Sequence, residues 1–267
     1  MEITFFIVLI LILLGFLAGM IAVIAGIGGG VFFVSIMTIM FLIPITIAID
    51  TSTFIILTSS AAGFITYLRQ RRTTIKLSLI FSTFSILGSI LYTVFEILWG
   101  QIDPIILKIL FATTLLLAGG NMIYKVIKTR KQLKLQTSSP DEFSILKHDY
   151  KSNLKRSIPL FLLAGFVAPL LGIGGGIINT PSLHILLDYP IHYSTAISTS
   201  IIFFTAIYNT IMKAIIGEID YIVGIFIAIG SILGSIVGAK VSKRMPRVYL
   251  QFFVAIVLII LAIRMYF

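Results

Sequence analysis

The chain has 267 residues, of which 58% are hydrophobic and 11% charged, with a formal net charge of +10 and no cysteine. A water-soluble domain would carry about a quarter charged residues, so lipid rather than water must cover much of this surface. Disulfides, thiolate nucleophiles and cysteine-held metal centres are excluded, and His148, His184 and His192 are too few for a multi-histidine metal site.

Apolar runs near the roughly 20 residues that cross hydrocarbon recur along the whole chain. The first, Ile3–Ala25, lacks a basic leader and is too long for a secretory signal, so it reads as a retained helix. Val31–Ile43, Ile45–Leu68, Ile75–Trp99 and Pro104–Ile123 follow. A basic polar stretch, Tyr124–Arg156, comes next. Within it, Pro140 followed by Asp141 and Glu142 suits the start of a short helix. The remaining runs are Ile158–Leu171, Ile177–Leu187, Ile191–Ile216, Tyr221–Val241 and Val248–Phe267. The expected fold is an all-α integral membrane protein with about eight to ten transmembrane helices.

Seventeen of the twenty Lys and Arg lie in three connections: Arg69–Lys76, Lys125–Arg156 and Lys240–Arg247. Basic connections between apolar runs follow the positive-inside pattern, which speaks against a nucleic-acid partner. With the N-terminus outside and every segment crossing, all three connections face the cytoplasm and both termini are external. Re-entrant pairs at segments one–two and six–seven preserve that parity, so both arrangements stay open.

An internal repeat organises the chain. Gly26-Ile27-Gly28-Gly29-Gly30 recurs as Gly172-Ile173-Gly174-Gly175-Gly176, a separation of 146 residues. Pro44 and Pro190, Gly19 and Gly165, Ser85 and Ser231, and Gly88 and Gly234 share that separation. The expected organisation is a first membrane repeat over residues 1–124, a basic cytoplasmic linker over 125–156 and a second repeat over 157–267. An odd number of crossings per copy makes the repeats inverted.

Segments two and seven span only about 20 and 16 Å as helices, short of the roughly 30 Å hydrocarbon core. Each follows a glycine turn directly. Short, glycine-interrupted segments at matching positions point to a transporter's substrate site. Glycine backbone can take positive φ, and a helix N-terminus presents unpaired N–H donors that attract anions without a lysine. Gly26, Gly28, Gly29, Gly30, Gly172, Gly174, Gly175, Gly176 and Asn179 are therefore substrate-binding candidates near mid-membrane. The competing reading is close helix packing by small residues. No Lys-Ser/Thr follows the turns, so they are not phosphate loops. Hydroxyls opening segments three and eight, Thr51, Ser52, Thr199 and Ser200, could also donate to an oxyanion. They correspond if two residues are inserted after Pro190. Their alternative role is bonding back to helix carbonyls.

These residues resemble the sulfite exporter TauE/SafE family of membrane permeases. The family hallmark is a Gly-x-Gly-Gly-Gly turn followed by proline, present in each half. Gly172–Pro181 fits fully, whereas Ser35 stands at the proline position of the first half. An Ala-x-x-Thr-Ser element is matched by Ala48–Ser52 and Ala196–Ser200. The resemblance covers nearly the whole chain. It implies a plasma-membrane transporter of sulfur-containing anions such as sulfite or organosulfonates, with no cofactor.

Ionisable groups inside membrane segments are costly and are functional candidates by default. His184 and Asp188, four apart on segment seven, could relay a proton; the alternative is an interfacial pair. Asp50 is a second candidate for coupling to a proton or sodium ion, although a cap role is natural near its helix start. Lys213 reads as snorkelling to the interface, and Glu96 and Trp99 as interfacial residues. The leading function is a secondary transporter working by alternating access. An anion channel of the same architecture is the runner-up, and an intramembrane enzyme ranks last for want of a nucleophile or histidine cluster. Lipid-facing and subunit-facing surfaces share a composition, which leaves the oligomeric state open, a homo-oligomer included.

Overall fold

A computed structural model describes residues 5–133, 151–242 and 247–266. All its regular structure is helical: α1 (Phe5–Ala25), α2 (Gly30–Ser35), α3 (Ile45–Arg69), α4 (Ile75–Trp99), α5 (Pro104–Leu133), α6 (Lys151–Leu171), α7 (Gly176–Pro181), α8 (Ile191–Ile216), α9 (Tyr221–Val241) and α10 (Arg247–Tyr266). Seven of these, α1, α3, α4, α5, α6, α8 and α9, are long and apolar enough to cross a membrane. The chain is an all-α, multi-pass integral membrane protein.

The two short segments end alike. α2 runs into one wider π-type turn at Ile36–Met40, and α7 into another at Ser182–Leu186. Each combined helix covers only about 16 Å. Ser35 precedes the first π turn and Pro181 the second, so proline is not what creates it. Leu42 and Asp188 then take left-handed backbone at φ 54° and 53°.

Helix enters the polar stretch from both sides. α5 continues to Leu133 and α6 begins at Lys151, because Lys, Arg, Gln and Leu propagate helix well. Pro140 lies outside the described residues.

Packing between the halves is reciprocal. α1 packs on α9 and α6 on α4, with α5 beside α10 and α3 beside α8. Ser89 Oγ donates to the Gly165 carbonyl at 2.8 Å, and Ser235 Oγ to the Gly19 carbonyl at 3.4 Å. Both pairs are the same pair, displaced by 146 residues. Glycine makes the approach close enough: a methyl on Gly19 would run into the Ser231 backbone, and one on Gly165 into that of Ser85. Contacts rise in step along both members, so α1 runs parallel to α9 and α4 parallel to α6. α3 and α8 cross the centre antiparallel, with Phe64 stacked on Phe203 at 5.4 Å and Thr210 Oγ1 donating to the Thr53 carbonyl at 3.0 Å.

Candidate functional site

α1 and α6 both end at glycine turns, and the two turns touch. Gly26, Gly28 and Gly29 have φ of 68°, 97° and 77°; Gly172, Gly174 and Gly175 have 64°, 75° and 75°. Those values explain why glycine fills both turns. A methyl on Gly28 would stand 2.9 Å from the Ile173 carbonyl oxygen and 3.5 Å from Gly174 Cα. One on Gly176 would stand 2.5 Å from the Gly26 carbonyl oxygen. Gly29 and Gly175 cap α2 and α7, whose first N–H groups have no acceptor within their own helix.

Hydroxyls from the central pair pin the turns. Ser52 Oγ shares its proton between the Ile49 carbonyl of its own helix at 2.6 Å and the Gly172 carbonyl at 2.9 Å, and Ser198 Oγ donates to the Gly26 carbonyl at 3.0 Å. Thr180 Oγ1 also donates to the Gly26 carbonyl, at 2.7 Å. The register corrects the two-residue insertion expected after Pro190. Ser52 pairs with Ser198, not Ser200, and the separation of 146 residues continues unbroken into α8. The repeated Thr-Ser letters sit two positions off that register.

A small cavity lies on either side of the contact. One, of about 10 Å³, is lined by Thr53, Ile56, Gly174, Ile202, Thr205 and Asn209. The other, also of about 10 Å³, is lined by Ala22, Gly28, Ser59, Ser60, Thr199 and Ile202. Each has room for about one water molecule. Their linings correspond across the repeat: Thr53 with Thr199, Ile56 with Ile202, Thr205 with Ser59. Ile56 and Ile202, 2% and 1% exposed, fill the space between. These two isoleucines, Asn209 and Thr205 were not singled out from the sequence, although the separation of 146 residues relates Ile56 to Ile202.

Other candidates fall differently. Asn179 is buried, and its side-chain oxygen accepts no hydrogen bond. Thr51 Oγ1 accepts the Asp220 N–H at 2.9 Å. Thr199 Oγ1 donates to the Thr195 carbonyl, and Ser200 Oγ shares its one proton between the Ala196 carbonyl at 2.8 Å and Thr73 Oγ1 at 3.0 Å. Most of these hydroxyls are therefore occupied by local backbone. His184 and Asp188 do not share a helix face. The helix stops at Leu186, Asp188 lies in the left-handed turn beyond it, and His184 Nδ1 meets the Tyr189 carbonyl at 2.8 Å.

Asp50 is not a helix cap but one arm of a buried ion cluster. Lys213 Nζ lies 3.0 Å from Asp50 Oδ1 and 2.6 Å from Glu96 Oε1. It also sits 5.6 Å from the Tyr92 ring centre. Lys213 thus turns inward to the two carboxylates rather than snorkelling, and Glu96 is drawn into the same cluster. Three helices converge there, which spacing along the chain does not reveal. Among the described residues, no group of three or more His, Asp or Glu could hold a metal ion.

Matched helix-breaking turns at corresponding positions of a multi-pass bundle point towards a transporter. The family model for "Sulfite exporter TauE/SafE" matches residues 11–265. The chain belongs to that family. It is 24% identical over 266 residues, 94% of each chain, to "Probable membrane transporter protein YunE" of Bacillus subtilis. It is 30% identical over 203 residues to "Probable membrane transporter protein MJ0441" of Methanocaldococcus jannaschii, covering 74% of this chain and 69% of that one. "Probable membrane transporter protein YdhB" of Bacillus subtilis is 25% identical over 215 residues, 80% of this chain and 82% of its own. No solved structure matches.

Proposed function

We propose that this membrane transporter is a secondary carrier of small anions, with sulfur oxyanions such as sulfite or organosulfonates as its substrate class. One observation carries the reading: two glycine turns meet where two truncated helices begin, between matched small cavities whose largely apolar walls carry a few hydroxyls and one amide. Helix N-termini and glycine N–H groups favour an oxyanion over a cation at that point. In this conformation the cavities hold about a water molecule each, so an anion passes only when the turns separate. Rocking of one repeat against the other supplies that separation, with Ile56 and Ile202 parting as the substrate moves between the cavities.

The helix directions and reciprocal contacts support inverted repeats, 1–124 and 157–267, joined by the basic connection. Arg69 and Lys240 close parallel helices at one end, and Asp50 and Glu218 lie at the other. This polarity favours a cytoplasmic basic end and external termini in a plasma membrane.

The test is flux. Purified protein in liposomes is expected to move sulfite, thiosulfate or an organosulfonate under an imposed ion gradient. No movement of any of them, while a known permease works in parallel, overturns the proposal.

A further inference from the structure

The Asp50–Lys213–Glu96 cluster stands apart from the glycine turns. It lies one helical turn beyond the cavity of Thr53 and Asn209, on the same two helices, α3 and α8. Two carboxylates face one ammonium. With all three ionised, the cluster holds a net negative charge among buried side chains that are only 5%, 5% and 10% exposed. An unbalanced charge of that kind inside a membrane bundle is expensive.

The two acids are not equivalent. Both Asp50 oxygens are engaged: Oδ1 by Lys213, and Oδ2 by the Glu218 N–H at 3.1 Å. Glu96 Oε1 is engaged by Lys213 at 2.6 Å, and the Tyr92 hydroxyl neighbours the same carboxylate. Its Oε2 is buried and accepts no hydrogen bond. A cavity of about 10 Å³ beside it, lined by Asp50, Tyr92, Glu96, Gln101 and Lys213, has room for about one water. The groups facing Glu96 are therefore Asp50 from α3, Tyr92 from α4, Lys213 from α8 and Gln101 from the α4–α5 connection. Lys213 is the cation among them.

The repeat sharpens the contrast. The residues 146 positions from Asp50, Glu96 and Lys213 are Ala196, Ser242 and Tyr67. Tyr67 closes its own end of the central pair by donating to the Val23 carbonyl at 3.0 Å. None of these three related positions carries a carboxylate.

We propose that Asp50, Lys213 and Glu96 form a proton-binding gate at one end of the substrate path, with Glu96 taking the proton. An excess proton arriving through a water, as hydronium returning to neutral water, forms the O–H bond on Glu96 Oε2, and no electrons change hands. Lys213 stays charged and keeps Asp50. Its tie to Glu96 changes from an ion pair to a neutral contact, which loosens α4 from α8. The cluster lies at one end of the path, so the proton enters from that side and, once the repeats rock, leaves towards the other. The coupling role rests on the carrier reading above; the proton site does not.

Glu96→Gln is the test in the full-length protein. It leaves Asp50 and Lys213 as a balanced pair, so folding is expected to survive; Glu96→Met replaces it should glutamine not be tolerated. Infrared difference spectra between acid and alkaline buffer are expected to show a titrating carboxyl band in the wild type. The band should be lost in Glu96→Gln and retained in Asp103→Asn, which alters an exposed cap. In liposomes, sulfite accumulation driven by a pH gradient should fall about tenfold or more in Glu96→Gln, while sulfite–sulfite exchange persists. A wild type without the band, a band untouched by Glu96→Gln, or gradient-driven accumulation intact in that variant overturns the proposal. A wild type that moves no sulfite in either mode refutes the carrier reading instead, and the infrared result still decides the proton site.

Discussion

Adding one methyl group to the glycine turns tests their contact directly, because three glycines separate the forces involved. Gly100 has φ 81° and nothing within 4 Å of an added Cβ. Gly100→Ala therefore reads backbone strain alone, about 1–3 kcal/mol. Gly176 has no positive φ, but its Cβ would stand 2.5 Å from the carbonyl oxygens of Gly26 and Ile27. Gly176→Ala reads contact alone. The atoms it meets are backbone, which cannot swing aside like a side-chain tip, so the upper part of the usual overpacking range of about 1–3 kcal/mol applies. Gly28→Ala combines φ 97° with a carbonyl at 2.9 Å, so it should cost more than Gly100→Ala. Thermal unfolding in detergent gives the stability order, and sulfite flux in liposomes gives the functional effect. Gly176→Ala and Gly28→Ala should lose flux, with Gly100→Ala close to the wild type. If Gly176→Ala matched the wild type in both assays, the turns would not meet as described.

Replacing Ile56 or Ile202 with alanine should cost about 2–5 kcal/mol and join the two small cavities, raising uncoupled anion leak in liposomes. Ser52→Ala should cost about 1 kcal/mol in thermal unfolding. Ser198→Ala should cost less, since Thr180 continues to serve the Gly26 carbonyl. Lys213→Met should be severe, about 3–5 kcal/mol, because it strands two buried carboxylates; adding Glu96→Gln and Asp50→Asn should recover much of that loss.

Much of the architecture was legible because the membrane imposes it. Helix lengths, the brevity of segments two and seven, and the doubled turn follow from span length and glycine's freedom at positive φ. Register into α8 was not legible. Thr51-Ser52 and Thr199-Ser200 repeat as letters, yet hydrogen bonding selects Ser52 and Ser198. The ion cluster was hidden for another reason. Asp50, Glu96 and Lys213 each lie about a turn from a helix end, where capping, interfacial and snorkelling roles are the natural expectations. Only the convergence of three helices turns them into one buried group. His184 and Asp188 failed in the opposite way: spacing put them on one face, and a widened last turn took that face away.

The crossed packing of the halves bears on how the protein is made. The glycine face of α1, at Gly15 and Gly19, is fitted to α9, which is synthesised roughly 200 residues later. At about 5–20 residues per second, α1 waits on the order of 10–40 s in the bilayer before its partner exists. α6 waits for nothing, since α4 precedes it. The first half is therefore inserted but unfinished until the second arrives, and the two halves produced as separate polypeptides should reassemble in one membrane without a covalent link.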